Sequence, residues 1–570
     1  MKKKDIKIKT PWYEMYDKIG MKKHLDYPDS SIYDLLVESA NKYLENIAYN
    51  YYGKLVTYGN MLVQIEECAK GLKNIGVEEG DIVTLCLPNT PEAVILFYAI
   101  NKVGGVVNLI HPLSGENEIK YYLNLTESKY LFFIDFTYEK IANIVIETKV
   151  ENLVSITVKE YMPSLMKLGY MITKGRKVKK IPANHNVITW ANFIANGKDY
   201  VKQTNACLKK DAYAVILYSG GTTGKSKGIV LSNYNFNALA ISSIEACGCL
   251  KEKDSVLAIM PIFHGFGIGI CIHTVFTFGG TSIILPSFSS KHFDKIIKKY
   301  KPNVIAGVPT LYEALLTNKH MDNVDLSFVK CAISGGDSLS VSLKKKIDIF
   351  FEEHNANITV REGYGLTECV TGTCLTPIDY YRESGIGIPY PDTYYKIVEP
   401  NTHNDLGYNE EGEIVISGPT IMVGYLNEES ETNHALQRHE DGNIWLHTGD
   451  LGYMDNEGFI YFKQRLKRII VTSGYNIYPQ NIENVIDSHP SVLMSTVIGI
   501  PHPYKKQVAK AFIVLKNGIE PSNKLKEEIL QHCKKSLSKY SLPYEIVFKE
   551  ALPKTLVGKV AYRQLSEEEK

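Results

Sequence analysis

The 570-residue sequence carries almost no charge imbalance: 64 Lys and Arg stand against 63 Asp and Glu, a formal net charge of +1. No global field therefore draws the chain to nucleic acid or to anionic lipid. None of the ten cysteines forms a CxxC pair, and the close pair Cys247-Gly248-Cys249 has no second half at zinc-binding spacing. The cysteines read as free, buried thiols of a reducing cytoplasm. The amino terminus, Met1-Lys2-Lys3-Lys4-Asp5-Ile6-Lys7, lacks the apolar stretch of a secretory signal. No internal repeat is visible. With 44% hydrophobic and 22% charged residues, the composition excludes disorder and collagen-like structure.

Charge is missing locally as well. From Ser255 to Ser290 there is no Asp, Glu, Lys or Arg, a length that would span a bilayer. Pro261, Pro286, His264, His273 and five glycines interrupt it, and a spanning helix would have to satisfy the backbone around each break. Strand, loop and helix in a large core are expected here, and no transmembrane segment.

What is present is an alternation of short apolar runs with helical patterns. Ser31 to Lys73 carries Ile32, Leu35, Leu36, Ala40 and later Met61, Leu62, Ile65, Ala69, Leu72 at helical spacing. Ile82 to Leu87 reads as a buried strand. Pro91 opens a helix that ends at Gly104-Gly105, and Val106 to Ile110 is a second strand. That order is a βαβ unit, hence a parallel sheet covered by helices. Further strands are read at 153–158, 212–218, 255–260 and 304–308. Lys159 to Lys210, rich in Lys and Asn, reads mostly as a surface insertion. After Gly412 short alternating segments separated by Gly and Asp-Gly turns indicate an antiparallel region. Beyond Lys463 to Arg468, a polar break, enough pattern remains for a small α+β domain.

The strongest chemical signal is Tyr218-Ser219-Gly220-Gly221-Thr222-Thr223-Gly224-Lys225-Ser226-Lys227-Gly228, directly after a strand. Clustered glycines let backbone N–H groups converge on an anion, and the hydroxyls and lysines add donors and charge. The end of the run imitates a Walker A loop, but that pattern needs glycine at position 219, which is Ser.

The run resembles the phosphate loop of the adenylate-forming acyl-CoA synthetase family, with Lys227 at the family's lysine and Gly220 in place of a Ser. Further segments match in order: Pro261 to Gly267, Ser334 to Asp337, Gly363 to Glu368, Gly424 to Asn427, Trp445 to Asp450, Arg465 to Lys467, Ser473 to Pro479 and Leu552 to Lys559. The resemblance covers nearly the whole chain and includes bacterial fatty acid–CoA ligases. It implies an α/β fold with a large, multi-subdomain N-terminal domain of parallel sheets and a distorted antiparallel region (1–464). A hinge (465–468) and a small mobile α+β C-terminal domain (469–570) would follow.

It also implies ATP, Mg2+ and coenzyme A as reaction partners, with a small-molecule carboxylic acid and no nucleic acid. Attack of a carboxylate on the α-phosphate brings two anions together, so cations and oriented donors must carry the catalysis. By resemblance, Ser219, Gly220, Gly221, Thr222, Thr223, Gly224 and Lys227 would hold phosphates. Glu368 and Thr222 would hold the magnesium ion. Gly335, Gly336, Asp337, Tyr364, Gly365 and Thr367 would line the adenine site, Asp450 would take the ribose hydroxyls and Arg465 would approach the same end. Lys559 is the cation expected at the reacting carboxylate. His264, Phe266, Gly267, Gly474 and Tyr475 would border the acyl and CoA channels, with Lys467 as the hinge. Arg468 departs from the pattern, standing where an acidic residue is common.

Phe263, Phe266, Leu366 and Val370, with glycines at 265, 267 and 269 to leave a long cavity, favour a medium- to long-chain fatty acid, with an aryl acid as the alternative. An amino-acid-adenylating enzyme loading a carrier protein would place an Asp near position 264, and none lies in 260–269. A nucleotide-sensing scaffold that had lost turnover would not be expected to keep Lys559, Glu368 and Asp450 together.

Overall fold

Short β-branched and aromatic runs make the strands, and stretches with apolar residues three and four apart make the helices that cover them. The computed structural model describes residues 8–179, 181–182, 186–218, 226–286, 292–472, 475–555 and 558–569, without the side chains of 174, 177, 467, 475 and 476. Within these residues the strands form four sheets.

In the first sheet six strands run parallel in the spatial order Tyr213–Tyr218, Val106–Leu109, Ile82–Cys86, Tyr130–Ile134, Asn152–Ile156 and Val187–Thr189. Gly228–Ser232 and Gly424–Tyr425 extend one edge antiparallel. The helix Pro91–Lys102 begins at Thr90, whose side chain accepts from the Ala93 N–H, and carries Pro91 in its first turn. Every residue of it is buried, which is why the eight positions from Ala93 to Ile100 are apolar all round. The second sheet is built on a parallel core of Val360–Tyr364, Cys331–Gly335, Val304–Gly307, Ser255–Ala258, Thr281–Ile284 and Ile47–Tyr51. One continuous apolar cluster joins both sheets, from Trp12 through Phe97, Phe236 and Phe276.

The third sheet is antiparallel: Tyr394–Val398, Gly412–Ser417, Ile444–Met454 and Leu436–Arg438, with Ile460–Arg465 paired to the long third strand. One 3₁₀ turn, Leu466–Arg468, follows its last strand. The next strand, Ile470–Thr472, already belongs to the fourth sheet, which has its own core of Ile482, Ile486, Val497, Ile513 and Ile529. This is the α/β class expected from the sequence, with a smaller α+β unit at the C-terminal end.

Two local readings change and a third holds. Ser31 to Lys73 is two helices, Ile32–Lys42 and Tyr58–Asn74, separated by the hairpin Ile47–Tyr51 and Lys54–Thr57. Its turn is made by Tyr52 and Gly53, both at positive φ (55° and 103°), a geometry whose first residue is not one of the usual turn formers. The stretch from 159 to 210 is not all surface. The helix Ser164–Ile172 buries no side chain, but Trp190 and Phe193 of the helix Trp190–Gly197 are buried, and the Phe193 ring lies where a Cβ on Gly71 would be. The charge-free stretch folds as strand Ser255–Ala258, a π-helical segment Phe266–Thr274, a short helix and strand Thr281–Ile284. Among the described residues no helix is long and apolar enough to cross a membrane.

Candidate active site

The carboxyl ends of the parallel strands Cys331–Gly335 and Val360–Tyr364 open onto a cavity of about 1260 Å³, the position at which open α/β sheets bind ligands. The third sheet closes a second side and the C-terminal segment a third. Lys227, Gly335, Gly336, Asp337, Tyr364 and Gly365 line it. So do Thr367, Glu368, Asp450, Arg465 and Lys559, together with His264 and Phe266.

The most buried charged group there is Asp450, 2% exposed. Glu413 shapes its turn: Oε1 accepts from the Gly449 N–H (2.9 Å) and Oε2 lies 3.0 Å from His447 Nδ1. Thr448 Oγ donates to the Ile414 carbonyl and accepts from the Asp450 N–H, and Gly449 bends at φ +69°. The Tyr364 hydroxyl donates to Asp450 Oδ2 at 2.7 Å, across 86 residues. Oδ1 lies 3.4 Å from Arg465 Nε and accepts no hydrogen bond among the described residues. Burial raises the Asp450 pKa, opposed by Arg465 and by the Tyr364 hydrogen bond. A buried carboxylate oxygen without a hydrogen-bond donor is rare in a finished interior, and here its neighbour is the Arg465 guanidinium at the cavity edge.

Glu368 is steadied by the Tyr425 hydroxyl, which donates to its Oε1 at 3.0 Å. Lys227 stands beside the same Tyr425, its ammonium 4.7 Å from the ring centroid and paired with Glu431.

Lys559 arrives from the C-terminal unit. Its approach is fixed by Asp337, whose carboxylate accepts from the Val560 N–H (3.2 Å) and the Tyr562 hydroxyl (3.4 Å), and by Thr310, which donates to the Gly558 carbonyl at 2.9 Å. Gly336, at φ +79°, leaves room for the lysine: a Cβ there would lie 3.3 Å from Lys559 Cε and 3.7 Å from Nζ. Burial lowers the ammonium pKa, with Asp337 opposing and Arg465 adding to the effect. Arg468 braces the same corner, donating to Glu483 at 2.9 Å and lying 3.6 Å over the Tyr562 ring. A basic residue suits this position because Glu483 on one side and Tyr562 on the other both attract it.

His264 accepts from the Phe266 N–H through Nδ1 at 3.2 Å. Burial, then the neighbouring Lys559, push its pKa down to about 3, so the ring is neutral at ordinary pH. Gly267 departs from expectation: it is not on the cavity wall, and a Cβ there would sit 2.0 Å from the Pro261 carbonyl. Gly265 and Gly269 likewise face the Val370 carbonyl and the Leu239 side chain. These glycines serve close packing of the π-helical segment and leave no cavity. Ser219, Gly220, Gly221, Thr222, Thr223, Gly224 and Gly474 lie outside the described residues. So do the side chains of Lys467 and Tyr475, whose backbones lie in the turn Leu466–Arg468 and the strand Tyr475–Ile477.

Tyr425, Tyr562, Thr310 and Glu413 were not singled out as site residues from the sequence. Tyr425 falls within a motif that matches the family pattern; Tyr562 and Thr310 carry no sequence signal, since their partners are remote in the chain.

The pattern of the AMP-binding enzyme matches residues 36–426, and that of the AMP-binding enzyme C-terminal domain matches residues 481–559. The chain belongs to the AMP-binding enzyme family. Among curated relatives of this AMP-binding enzyme, a long-chain-fatty-acid–CoA ligase of Bacillus subtilis is 33% identical over 571 residues, covering 99% of both chains. A probable 4-coumarate–CoA ligase of Dictyostelium discoideum is 30% identical, covering 88% of both. Among solved structures, an anthranilate–CoA ligase in complex with anthranoyl-AMP shares the fold at TM-score 0.83 and 22% identity, covering 96% of this chain and 98% of that one.

Proposed function

We propose that this AMP-binding enzyme is an ATP-dependent carboxylic acid–CoA ligase acting on medium- to long-chain fatty acids. The acid's carboxylate attacks the α-phosphate and pyrophosphate leaves; the CoA thiol then takes the acyl group and AMP leaves. The observation that carries this reading is the meeting, in one cavity, of the Lys559 ammonium, the Asp450 carboxylate and, beyond His264, a mostly apolar wall broken by Ser243 and Thr274.

In this reading Asp450 accepts the ribose hydroxyls, because it can take two donors and has one oxygen free. Tyr364 and Gly335 to Asp337 flank the base, with Gly365 and Thr367 nearby. The segment from Ser219 to Gly224 and Lys227 hold the phosphates. Lys559 neutralises charge between carboxylate and α-phosphate, a mobile point charge rather than a fixed fork. His264, uncharged and held through Nδ1, forms the gate between nucleotide and acyl ends without adding a competing cation. The oxygen donors Glu368 and Thr222 suit a hard divalent ion, and Mg2+ bound there supplies charge neutralisation to the phosphates. The 3₁₀ turn with Lys467 is the hinge between a body of residues 1–464 and a unit of 469–570. Swinging that unit would withdraw Lys559 and bring Gly474 and Tyr475 to the CoA path. Ten unpaired cysteines suit a reducing cytoplasm.

Val256, Ile270, Val275, Phe278, Val304 and Ala306 continue the cavity past His264 to Cys247 and Leu250, which supports an extended alkyl chain. The Dictyostelium relatives, named as probable 4-coumarate–CoA ligases, support an aryl acid as the second reading. Acid-dependent return of labelled pyrophosphate into ATP, followed by CoA thioester formation across fatty acids of increasing length and across hydroxycinnamates and benzoates, decides between them. Exchange with no acid in the panel overturns the ligase reading; turnover of aryl acids alone overturns the fatty-acid assignment.

A further inference from the structure

Three thiols converge behind the apolar end of the cavity. Cys247 closes the helix Asn233–Cys247, Gly248 turns the chain at φ +68°, and Cys249 comes back beside it with the two sulfurs 3.6 Å apart. The third, Cys331, opens the strand Cys331–Gly335, and its sulfur lies 3.8 Å from that of Cys247. All three sulfurs are within 4.8 Å of one another. Four-coordinate zinc with Zn–S bonds of about 2.3 Å sets neighbouring thiolates about 3.8 Å apart. The spacing is therefore that of a coordination triangle, and it is formed without moving a strand.

Charge supports the same reading. The Arg361 guanidinium is buried against the triad, 6% exposed. It donates to the carbonyls of Thr376, Cys247 and Ala246 and lies 3.8 Å from Cys247 Sγ. Among the described residues no carboxylate is within ion-pair distance of it. A buried cation held by neutral carbonyls and a single sulfur is costly. Three thiolates, a divalent ion and Arg361 sum to zero charge, so the metal–thiolate cluster, net −1, would give the arginine an anionic neighbour in a neutral assembly. Access exists from two sides, because Cys247 lines the cavity and Cys249 is half-buried toward the outside.

We propose that Cys247, Cys249 and Cys331 form a binding site for a thiophilic divalent cation of the Zn2+ or Cd2+ kind, with one coordination position left to a non-protein ligand. The bound ion ties the end of a helix to the start of a central strand beside the apolar cavity. This site is separate from the nucleotide-binding residues and does not depend on the ligase reading.

The test is a titration of the reduced, metal-free, full-length chain with Cd2+, read by thiolate-to-cadmium charge-transfer absorption and by equilibrium dialysis. The expected result is one ion per chain carrying that absorption, bound at least about tenfold more weakly by Cys331→Ser and by Cys249→Ser. Cys533→Ser, in the core of the fourth sheet, is expected to bind like the parent. Cys249→Ser is the safer variant, since its residue is at a turn, and circular dichroism verifies that each variant is folded. Absence of the absorption in the parent chain overturns the proposal, as does absorption of equal size in folded Cys249→Ser.

Discussion

The two sides of the cavity are built differently. On the side of the large body, Tyr364 and Asp450 come from a central strand and from the longest strand of the antiparallel sheet, locked by Glu413, Thr448 and the packing behind them. On the side of the C-terminal unit, the segment around Lys559 is tied to the large body, among the described residues, by three hydrogen bonds to two partners, Asp337 and Thr310. One side is built from sheet strands, the other from a loop of the C-terminal unit that the proposed hinge would carry. A site needing one rigid nucleotide pocket and one transient cation is served by that division, because preorganised groups act without reorganisation while a loosely seated one can be exchanged between steps.

The comparison can be broken at several points, most strongly at the lysine. Lys559→Ala is expected to lower acid-dependent pyrophosphate exchange by about 100-fold or more while sparing thioester formation from supplied acyl-adenylate. Equal loss of both half-reactions would mean that the lysine is not confined to one step. Asp450→Ala, on the rigid side, is expected to raise the KM for ATP roughly ten- to a hundredfold in both the exchange and the full reaction, the worth of hydrogen bonds to a charged group. An unchanged KM would remove Asp450 from the nucleotide pocket.

Asp337→Ala sharpens the contrast, since it frees Val560 and Tyr562 and removes a carboxylate that favours the Lys559 ammonium, while the lysine itself stays in place. The expected loss is about tenfold in adenylation, the worth of one charged acceptor, with the acyl-adenylate half-reaction nearly intact. A matching loss in the second half-reaction would place Asp337 with the fixed side instead. The smallest effect is in pH. Lys559 has its pKa lowered from 10.5, so its protonated form is lost at lower pH than for a free lysine. Adenylation should therefore fall on the alkaline side before ordinary lysines titrate, whereas thioester formation should not. An alkaline limb common to both steps would speak against this assignment.

Much of this arrangement was legible from the chain. The βαβ unit at 82–110 could be read because Pro91, Gly104 and Gly105 punctuate it, and the site motifs because each is a compact local run. What escaped was non-local or disguised. The Tyr364–Asp450 bond and the Asp337 contacts with the C-terminal unit join segments that no spacing rule connects. The hairpin at Tyr52-Gly53 interrupts two helical patterns with a turn whose first residue is large and aromatic. The glycines at 265, 267 and 269 were read as making space, whereas backbone and side-chain atoms already occupy the place of their Cβ atoms. Cys247 and Cys249 looked like half of a motif because Cys331, their third member, is 84 positions from Cys247.

Asp337 has a further consequence. It borders the pocket through Gly336 and at the same time clasps Val560 and Tyr562. A guest that draws its carboxylate inward loosens that clasp, and a loosened clasp must by reciprocity alter how firmly the guest is held. In the reaction proposed above, departure of the spent nucleotide and release of the C-terminal unit would thus be linked through one side chain, each event reporting on the other.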